Sequence, residues 1–341
     1  MMQAVVLDAV NSISTKEIPI DELANGEALI KVEAAGICGS DRHILHGTYP
    51  ANYPVVLGHE FSGIVEVAAT SGKFKVGDRV NVNPNIACRT CMYCNMGIVN
   101  LCENNKAHGV NRNGGLANHV AVNESQLFAL PKNIDPKFGA FCEPIACCIQ
   151  GIDLAEIRPG DKVAIIGGGV IGQIMVQLVK LAGADVILLS TRQKVRRDMA
   201  ESFGATHTID PTGLNSHEKY SGKSGVAPGG FDVVIECAGK SETLQQSLDI
   251  VRRGGKVILF GVMPQHEKFE IVPFDIFVRQ VRIQGVFTGS TVHGKAVELV
   301  SSEKLELAPL MTHIVGLSEV PGLLSEEPLA GEIKTIVLPN G

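Results

Sequence analysis

Residues 162–181 read KVAIIGGGVIGQIMVQLVKL, and the reading of this stretch decides the fold. Lys162–Ile166 is a β-branched apolar run, the pattern of a buried strand. Val170–Leu181 is apolar almost all round, as a helix packed on a sheet requires. Between them Gly167, Gly169 and Gly172 spell G-x-G-x-x-G, with Val170 and Ile171 opening the helix. In this strand-to-helix context the glycines allow a tight turn whose backbone N–H groups approach a pyrophosphate. The helix N-terminus adds favourable dipole charge at the same place. The alternation continues outward. Strands are predicted over Val186–Leu189, Phe231–Glu236 and Lys256–Phe260, with a fifth over Arg282–Phe287. Helices are predicted over Lys194–Phe203 and Ser241–Val251. That order predicts an α/β unit, a parallel sheet covered by helices. Residues 211–230 are polar and read as a long loop or a poorly patterned helix.

About twenty residues beyond the glycine loop, an acid would be expected to bind the ribose hydroxyls of NAD. The second strand ends instead in Leu189-Ser190-Thr191-Arg192, followed by Lys194, Arg196 and Arg197. The hydroxyls of Ser190 and Thr191 with the Arg192 guanidinium suit a 2′-phosphate, which favours NADP(H) over NAD(H). At least two of the four cations are expected on a solvated helix face.

The first 140 residues are different. Short apolar segments such as Ala28–Val32, Gly63–Val67 and Arg79–Val82 are separated by Gly, Asn and Pro turns, and helical periodicity is weak until about Glu143. A helical stretch over Gly294–Ser301 and a strand over Glu332–Leu338 close the chain. Cys88, Cys91, Cys94 and Cys102 form C-x2-C-x2-C-x7-C. Four thiolates at this spacing converge on one tetrahedral ion, and zinc suits an all-sulfur site that leaves no position for substrate. An iron–sulfur cluster is the chemical alternative. A second constellation is more open. Cys38 lies in GICGSDRH, His59 and Glu60 in GHEFSG, and Glu143 in FCEPIA. Thiolate, imidazole and carboxylate are all zinc ligands, and three of them with an open position make a catalytic site. Ser40 is near enough to Cys38 to face a zinc-bound oxygen, Asp41 is placed to orient a ligand histidine, and His43 to pass a proton to solvent.

The 341 residues exceed one ordinary domain, so two are expected. Lys+Arg number 30 against 36 Asp+Glu, a net charge of −6, which argues against a nucleic-acid or acidic-membrane partner. The N-terminus carries Asp8 and lacks a basic region followed by a long apolar run, so no signal peptide is expected. No stretch approaches 18 uninterrupted apolar residues, so no membrane span is expected. A cytoplasmic location follows as the expectation, and there clustered cysteines point to metal.

Together these motifs resemble the zinc-dependent medium-chain dehydrogenases, in the branch of the sorbitol and threonine dehydrogenases. The matching residues are Gly36-Ile37-Cys38-Gly39-Ser40-Asp41, Gly58-His59-Glu60, the four clustered cysteines, Glu143-Pro144 and the Gly167–Gly172 loop, in family order along essentially the whole chain. The resemblance implies a GroES-like β-rich catalytic domain over 1–147 and 289–341 and a Rossmann cofactor domain over 148–288. It implies a catalytic zinc among Cys38, His59 and Glu143, with Glu60 a direct or exchangeable fourth ligand, and a structural zinc on the four clustered cysteines. Ser40 would receive the alcohol proton. A homodimer or homotetramer is implied, pairing through the edge of the cofactor sheet, for which Arg282–Phe287 is the candidate segment.

Three departures stand out. Ile44 replaces a tyrosine of sorbitol dehydrogenases, Thr288-Gly289 replaces their Arg-Tyr pair, and Thr191 replaces the NAD-selecting aspartate. The polyol-binding groups are therefore not reproduced. The activity expected is reversible oxidation of a secondary alcohol or polyol to a ketone with NAD(P). A ketone or aldehyde reductase and a catalytically silent NADP-binding protein are the alternatives.

Overall fold

The computed structural model describes residues 1–70, 72–212 and 216–341. They form two compact units, Met1–Ala146 with Gly289–Gly341, and Cys147–Thr288.

The first unit is built on antiparallel sheet. The long strand Glu27–Gly36 is central to it. It pairs antiparallel with Glu60–Val67, His119–Asn123 and Lys334–Val337. It is buried along most of its length, with Lys31 exposed and Glu33 half-buried where the apolar run breaks. The register sets Gly36 opposite Glu60 and Ile336 opposite Gly36. Three distant segments therefore meet at the end of one strand. The core beneath packs Val5, Ile30, Val32, Phe61, Val80 and Val120.

One element of this unit has no helical signature in the sequence. Gly39–Leu45 is a seven-residue helix with Cys38 as its N-cap. The Cys38 backbone N–H donates to Asp41 Oδ2 at 2.9 Å. A first-turn carboxylate reaching back to the cap satisfies one of the helix's orphan donors, so a helix too short for periodicity still forms.

The second unit is a six-stranded, all-parallel sheet. The strand order is His207–Ile209, Val186–Ser190, Lys162–Ile166, Phe231–Glu236, Val251–Leu259, Arg282–Gly285. Helices Val170–Leu181, Lys194–Phe203 and Ser241–Ile250 alternate with the strands. The order reverses between Lys162–Ile166 and Phe231–Glu236, the switch point where such folds hold dinucleotides. Within the polar stretch 211–230 a short helix covers Ser216–Ser221, and residues 213–215 lie outside the described ones.

Among the described residues, only Pro136–Ala155 is long and apolar enough to cross a bilayer. It carries Lys137, Glu143 and Asp153, and 67% of its apolar window is buried within the fold, as in a core segment.

Candidate active site

The first set of ligands is assembled by strand ends. Cys38 follows Glu27–Gly36, and His59 immediately precedes Glu60–Val67, the strand paired to it. Gly58, with φ of 94°, makes the turn into His59; a Cβ there would lie 2.7 Å from the Leu116 backbone nitrogen. One ligand atom from each of Cys38, His59 and Glu60 lies within 4.8 Å of the others. Glu143 stands buried in the first turn of the helix Cys142–Ala155.

The histidine is held from both sides. Its Nε2 lies 3.3 Å from Ser40 Oγ, and its Nδ1 lies 3.4 Å from Asp41 Oδ1. Asp41 is fully buried, and its Oδ1 has no other hydrogen-bond partner. Burial disfavours charge on His59, yet Asp41 and Cys38 outweigh it and hold the imidazole well above its ordinary pKa. A thiolate, a carboxylate and an imidazole oriented by a buried aspartate fit a divalent zinc ion by donor chemistry and by spacing. His43, half-buried on the same short helix, bonds Thr48 Oγ1 through Nδ1 at 3.0 Å. Burial and then His46 push its pKa down, which keeps it neutral near pH 7.

Sequence reasoning missed Lys334. Its ammonium forms an ion pair with Glu60 Oε2 and donates to the Ile37 carbonyl at 2.9 Å. Both side chains are 1% exposed. Burial opposes the charge, but Glu60, Cys38 and Asp41 outweigh it and raise the pKa above that of a free lysine. Gly36 is glycine because any Cβ there would collide with Glu60 Oε2 and lie 2.7 Å from Lys334 Cε. The available signal was a lysine set close to Ile333, Ile336 and Val337 in a short closing strand.

The four clustered cysteines also converge. Their sulfurs lie within 4.8 Å of one another, and Cys91 and Cys102 are 4.0 Å apart. Backbone N–H groups of Cys88 and Cys91 point at Cys102 Sγ and Cys88 Sγ, at 3.2 and 3.4 Å. Bonds from Thr90 and the Cys91 N–H bring the Cys88 thiol down to about 5. These donors stabilise the Cys88 thiolate, the form that binds metal, whereas desolvation pushes the Cys94 thiol up to about 12.

In the second unit each glycine of the loop has its own constraint. Gly167 sits at φ of 113°. Gly169 caps the helix Val170–Leu181, and a Cβ there would meet nothing, so its surroundings are open. A Cβ on Gly172 would collide with the Gly167 carbonyl oxygen. Val170 and Ile171 are half-buried in the first turn, where free N–H groups suit a pyrophosphate.

The following strand end differs from the expectation at Ser190. Its side chain is turned into the fold, and its hydroxyl bonds the buried Tyr220 hydroxyl at 2.6 Å. A hydroxyl paired in this way is not presented to a phosphate. Thr191 packs its side chain over Gly168, 2.8 Å from where a Cβ there would sit. Arg197 is committed to the Thr191 and Arg192 carbonyls and to Asp210, and Lys194 to Asp198. Arg192 stays exposed at the strand end.

Comparison with known proteins now decides the family. Residues 24–132 match the alcohol dehydrogenase GroES-like domain, and residues 170–302 match the zinc-binding dehydrogenase family. D-arabinitol dehydrogenase 1 of Uromyces fabae is 30% identical over 331 residues, 96% of this chain and 94% of that protein. This chain belongs to the zinc-dependent alcohol dehydrogenases.

Sorbitol dehydrogenase of Bacillus subtilis is 31% identical over 348 residues, covering 99% of this chain and 98% of that one. Among solved structures, a protein of Sinorhizobium meliloti 1021 described as a zinc-binding dehydrogenase, solved bound to NADP, superposes with a TM-score of 0.97. It is 47% identical, with 99% of both chains covered. Ile44 is fully buried in the core and presents no group to a polyol.

Proposed function

We propose that this dehydrogenase oxidises a secondary alcohol or polyol reversibly to the ketone with NADP(H). The unit Met1–Ala146 with Gly289–Gly341 is its catalytic domain, and Cys147–Thr288 binds the cofactor. The observation that carries the reading is the ligand set Cys38, His59 and Glu60 within 4.8 Å, with Ser40 Oγ 3.3 Å from His59 Nε2. These residues hold the catalytic zinc, and Glu143 is the further ligand that the resemblance offers. Cys88, Cys91, Cys94 and Cys102 hold a second, structural zinc.

When bound, zinc supplies Lewis acidity that lowers the pKa of the alcohol, and the nicotinamide takes up hydride. The chain's own residues do the rest. Asp41 fixes the orientation of His59. Ser40 accepts the alcohol proton, and His43, kept neutral, takes it toward solvent. Lys334 holds the Glu60 carboxylate in place within the set, as a direct or exchangeable ligand. The loop Gly167–Gly172 receives the pyrophosphate. Arg192, exposed beside Thr191, is the charge available for a 2′-phosphate, which favours NADP(H) over NAD(H).

The enzyme acts as a homodimer or homotetramer. Arg282–Gly285 is an edge strand with all four residues exposed. Phe274 and Phe277 beside it are 71% and 76% exposed, an apolar edge suited to pairing with a second copy.

The test is a metal count joined to a panel of sugar alcohols, sugar acids and amino-alcohols with both cofactors. Two zinc ions per chain and NADP-linked oxidation that disappears in Cys38→Ser are expected. Full turnover in a metal-free Cys38→Ser protein would sink the proposal. A preference for NAD of more than about tenfold, about 1.4 kcal/mol, would refute the Arg192 argument.

A further inference from the structure

Two strand–loop–helix segments stand side by side at the switch point. The first is Lys162–Ile166, the glycine loop and Val170–Leu181; the second is Phe231–Glu236, the loop 237–240 and Ser241–Ile250. In the parallel register Ile166 is the partner of Glu236, so each is the last residue before its loop. The first loop follows an apolar side chain; its Gly167 N–H donates to the Ser190 carbonyl at 2.9 Å, and the N–H groups of the first helical turn beyond it suit a ligand. The second follows a carboxylate that is fully buried.

That carboxylate makes no ion pair among the described residues. It is held by two donors of its own loop, Ala238 N–H at 2.8 Å and Gly239 N–H at 2.9 Å, and by the Thr243 hydroxyl of the following helix at 2.7 Å. Successive backbone N–H groups of this kind form an anion-binding nest, and here the protein fills the nest itself. The Glu236 carbonyl accepts from Phe260 and Gly261 N–H, at 2.9 and 2.8 Å. The carboxylate is thus held by the segment that follows it, and the carbonyl of the same residue by the neighbouring strand end.

These segments are packed backbone to backbone. A Cβ on Gly167 would lie 3.1 Å from the Ala238 nitrogen, and one on Gly239 would lie 2.6 Å from the Val262 carbonyl oxygen. A Cβ on Gly261 would lie 2.7 Å from Glu236 Oε2. Cys237 N–H donates to the Ile166 carbonyl at 2.8 Å. With no side chain in between to absorb movement, a shift of the 237–239 loop moves one wall of the crevice beside Gly167.

We propose that Glu236 is a positioning residue for the nicotinamide half of the cofactor site, acting through the loop 237–239. This rests on the reading that the Gly167–Gly172 crevice binds NADP(H). By capping the Ala238 and Gly239 N–H groups, the carboxylate fixes the loop and withholds a second anion nest, so the pyrophosphate has one place to dock. The adenosine half lies on the other side of the switch point, toward Val186–Ser190 and Arg192, and does not feel the carboxylate.

The chain has no tryptophan, so NADPH binding can be followed by the cofactor's own fluorescence without tryptophan background. Zinc-loaded wild type, Glu236→Gln and Glu236→Ala are titrated with NADPH and with 2′,5′-ADP, which lacks the nicotinamide half. Loss of one charge-assisted contact to the loop is expected to weaken NADPH about tenfold and raise KM for NADP+ alike. Affinity for 2′,5′-ADP and KM for the alcohol should stay within about twofold. Thr243→Val, which removes one donor, should show a smaller loss of the same kind; it and Glu236→Gln carry the test if Glu236→Ala does not fold. Equal losses for both ligands would mark a merely structural role and overturn the proposal, as would unchanged NADPH affinity. A wild type that binds neither ligand would overturn the cofactor reading beneath it.

Discussion

Replacing Lys334 with methionine removes one charge from the most deeply buried ion pair beside the ligand set. Methionine nearly matches the aliphatic stem, so packing changes little. What changes is Glu60, left 1% exposed without its counter-ion, and the Ile37 carbonyl, left without its 2.9 Å donor. Breaking a buried pair by removing one partner costs about 3–5 kcal/mol. With a urea slope of about 2 kcal/mol/M, the unfolding midpoint of zinc-depleted Lys334→Met should fall by about 2 M. The double variant Lys334→Met, Glu60→Gln should recover much of that loss, because no uncompensated charge remains. Zinc-loaded protein should lose less than depleted protein, since the freed carboxylate then has a cation beside it. The pH dependence has a definite sign. A lysine raised above its ordinary value contributes fully below about pH 10.4 and loses its contribution only as pH climbs through the folded value. The gap between variant and wild type should therefore be flat from about pH 6 to 9. Urea titrations with and without chelator read all of this. A midpoint shift below about 0.5 M in depleted protein, or a larger loss in loaded than in depleted protein, would refute the reasoning.

Three further outcomes follow from single observations. His293 donates from Nε2 to Asn81 Oδ1 at 2.6 Å, and burial pushes its pKa down to about 3. The unfolded chain takes up the proton first, so stability should decline as pH falls below about 6.5, by about 2 kcal/mol at pH 5, and His293→Gln should flatten that slope in acid unfolding titrations. Arg192→Ala should weaken NADPH by about tenfold and leave NADH unchanged, read by fluorescence titration; equal effects on both would remove the 2′-phosphate assignment. Gly172→Ala should abolish binding of either dinucleotide, because the added methyl collides with the Gly167 carbonyl oxygen; retained affinity would show that the loop can relax.

Much of the candidate site is written in local patterns. Gly167, Gly169 and Gly172 could be read because strand, turn and helix are consecutive in the chain. The four cysteines from Cys88 to Cys102 could be read because a metal lobe is a short-range object. Cys38, His59 and Ser40 were found as motifs, and the strand pairing brings them together. The helix Gly39–Leu45 was missed because seven residues are too few for a hydrophobic period, and its cap is a cysteine rather than a serine or aspartate. Ser190 was assigned to the cofactor because its spacing is right. Which way its hydroxyl turns depends on Tyr220, thirty residues away, and spacing along one strand carries no such information.

The sequence alone determined that a βαβ cofactor unit adjoins a metal-bearing β-rich unit, since periodicity, glycine placement and cysteine spacing are local properties. Only the tertiary structure decided what surrounds those motifs. Lys334 meets Glu60 across 274 residues of chain because Glu27–Gly36 pairs with a strand on each side. Glu236 turns from an ordinary strand-end acid into the cap of a loop because that loop folds back onto its buried carboxylate. Burial and pairing partners are set by which strands lie side by side, and that is settled by the free energy of the whole fold rather than by any window of its residues.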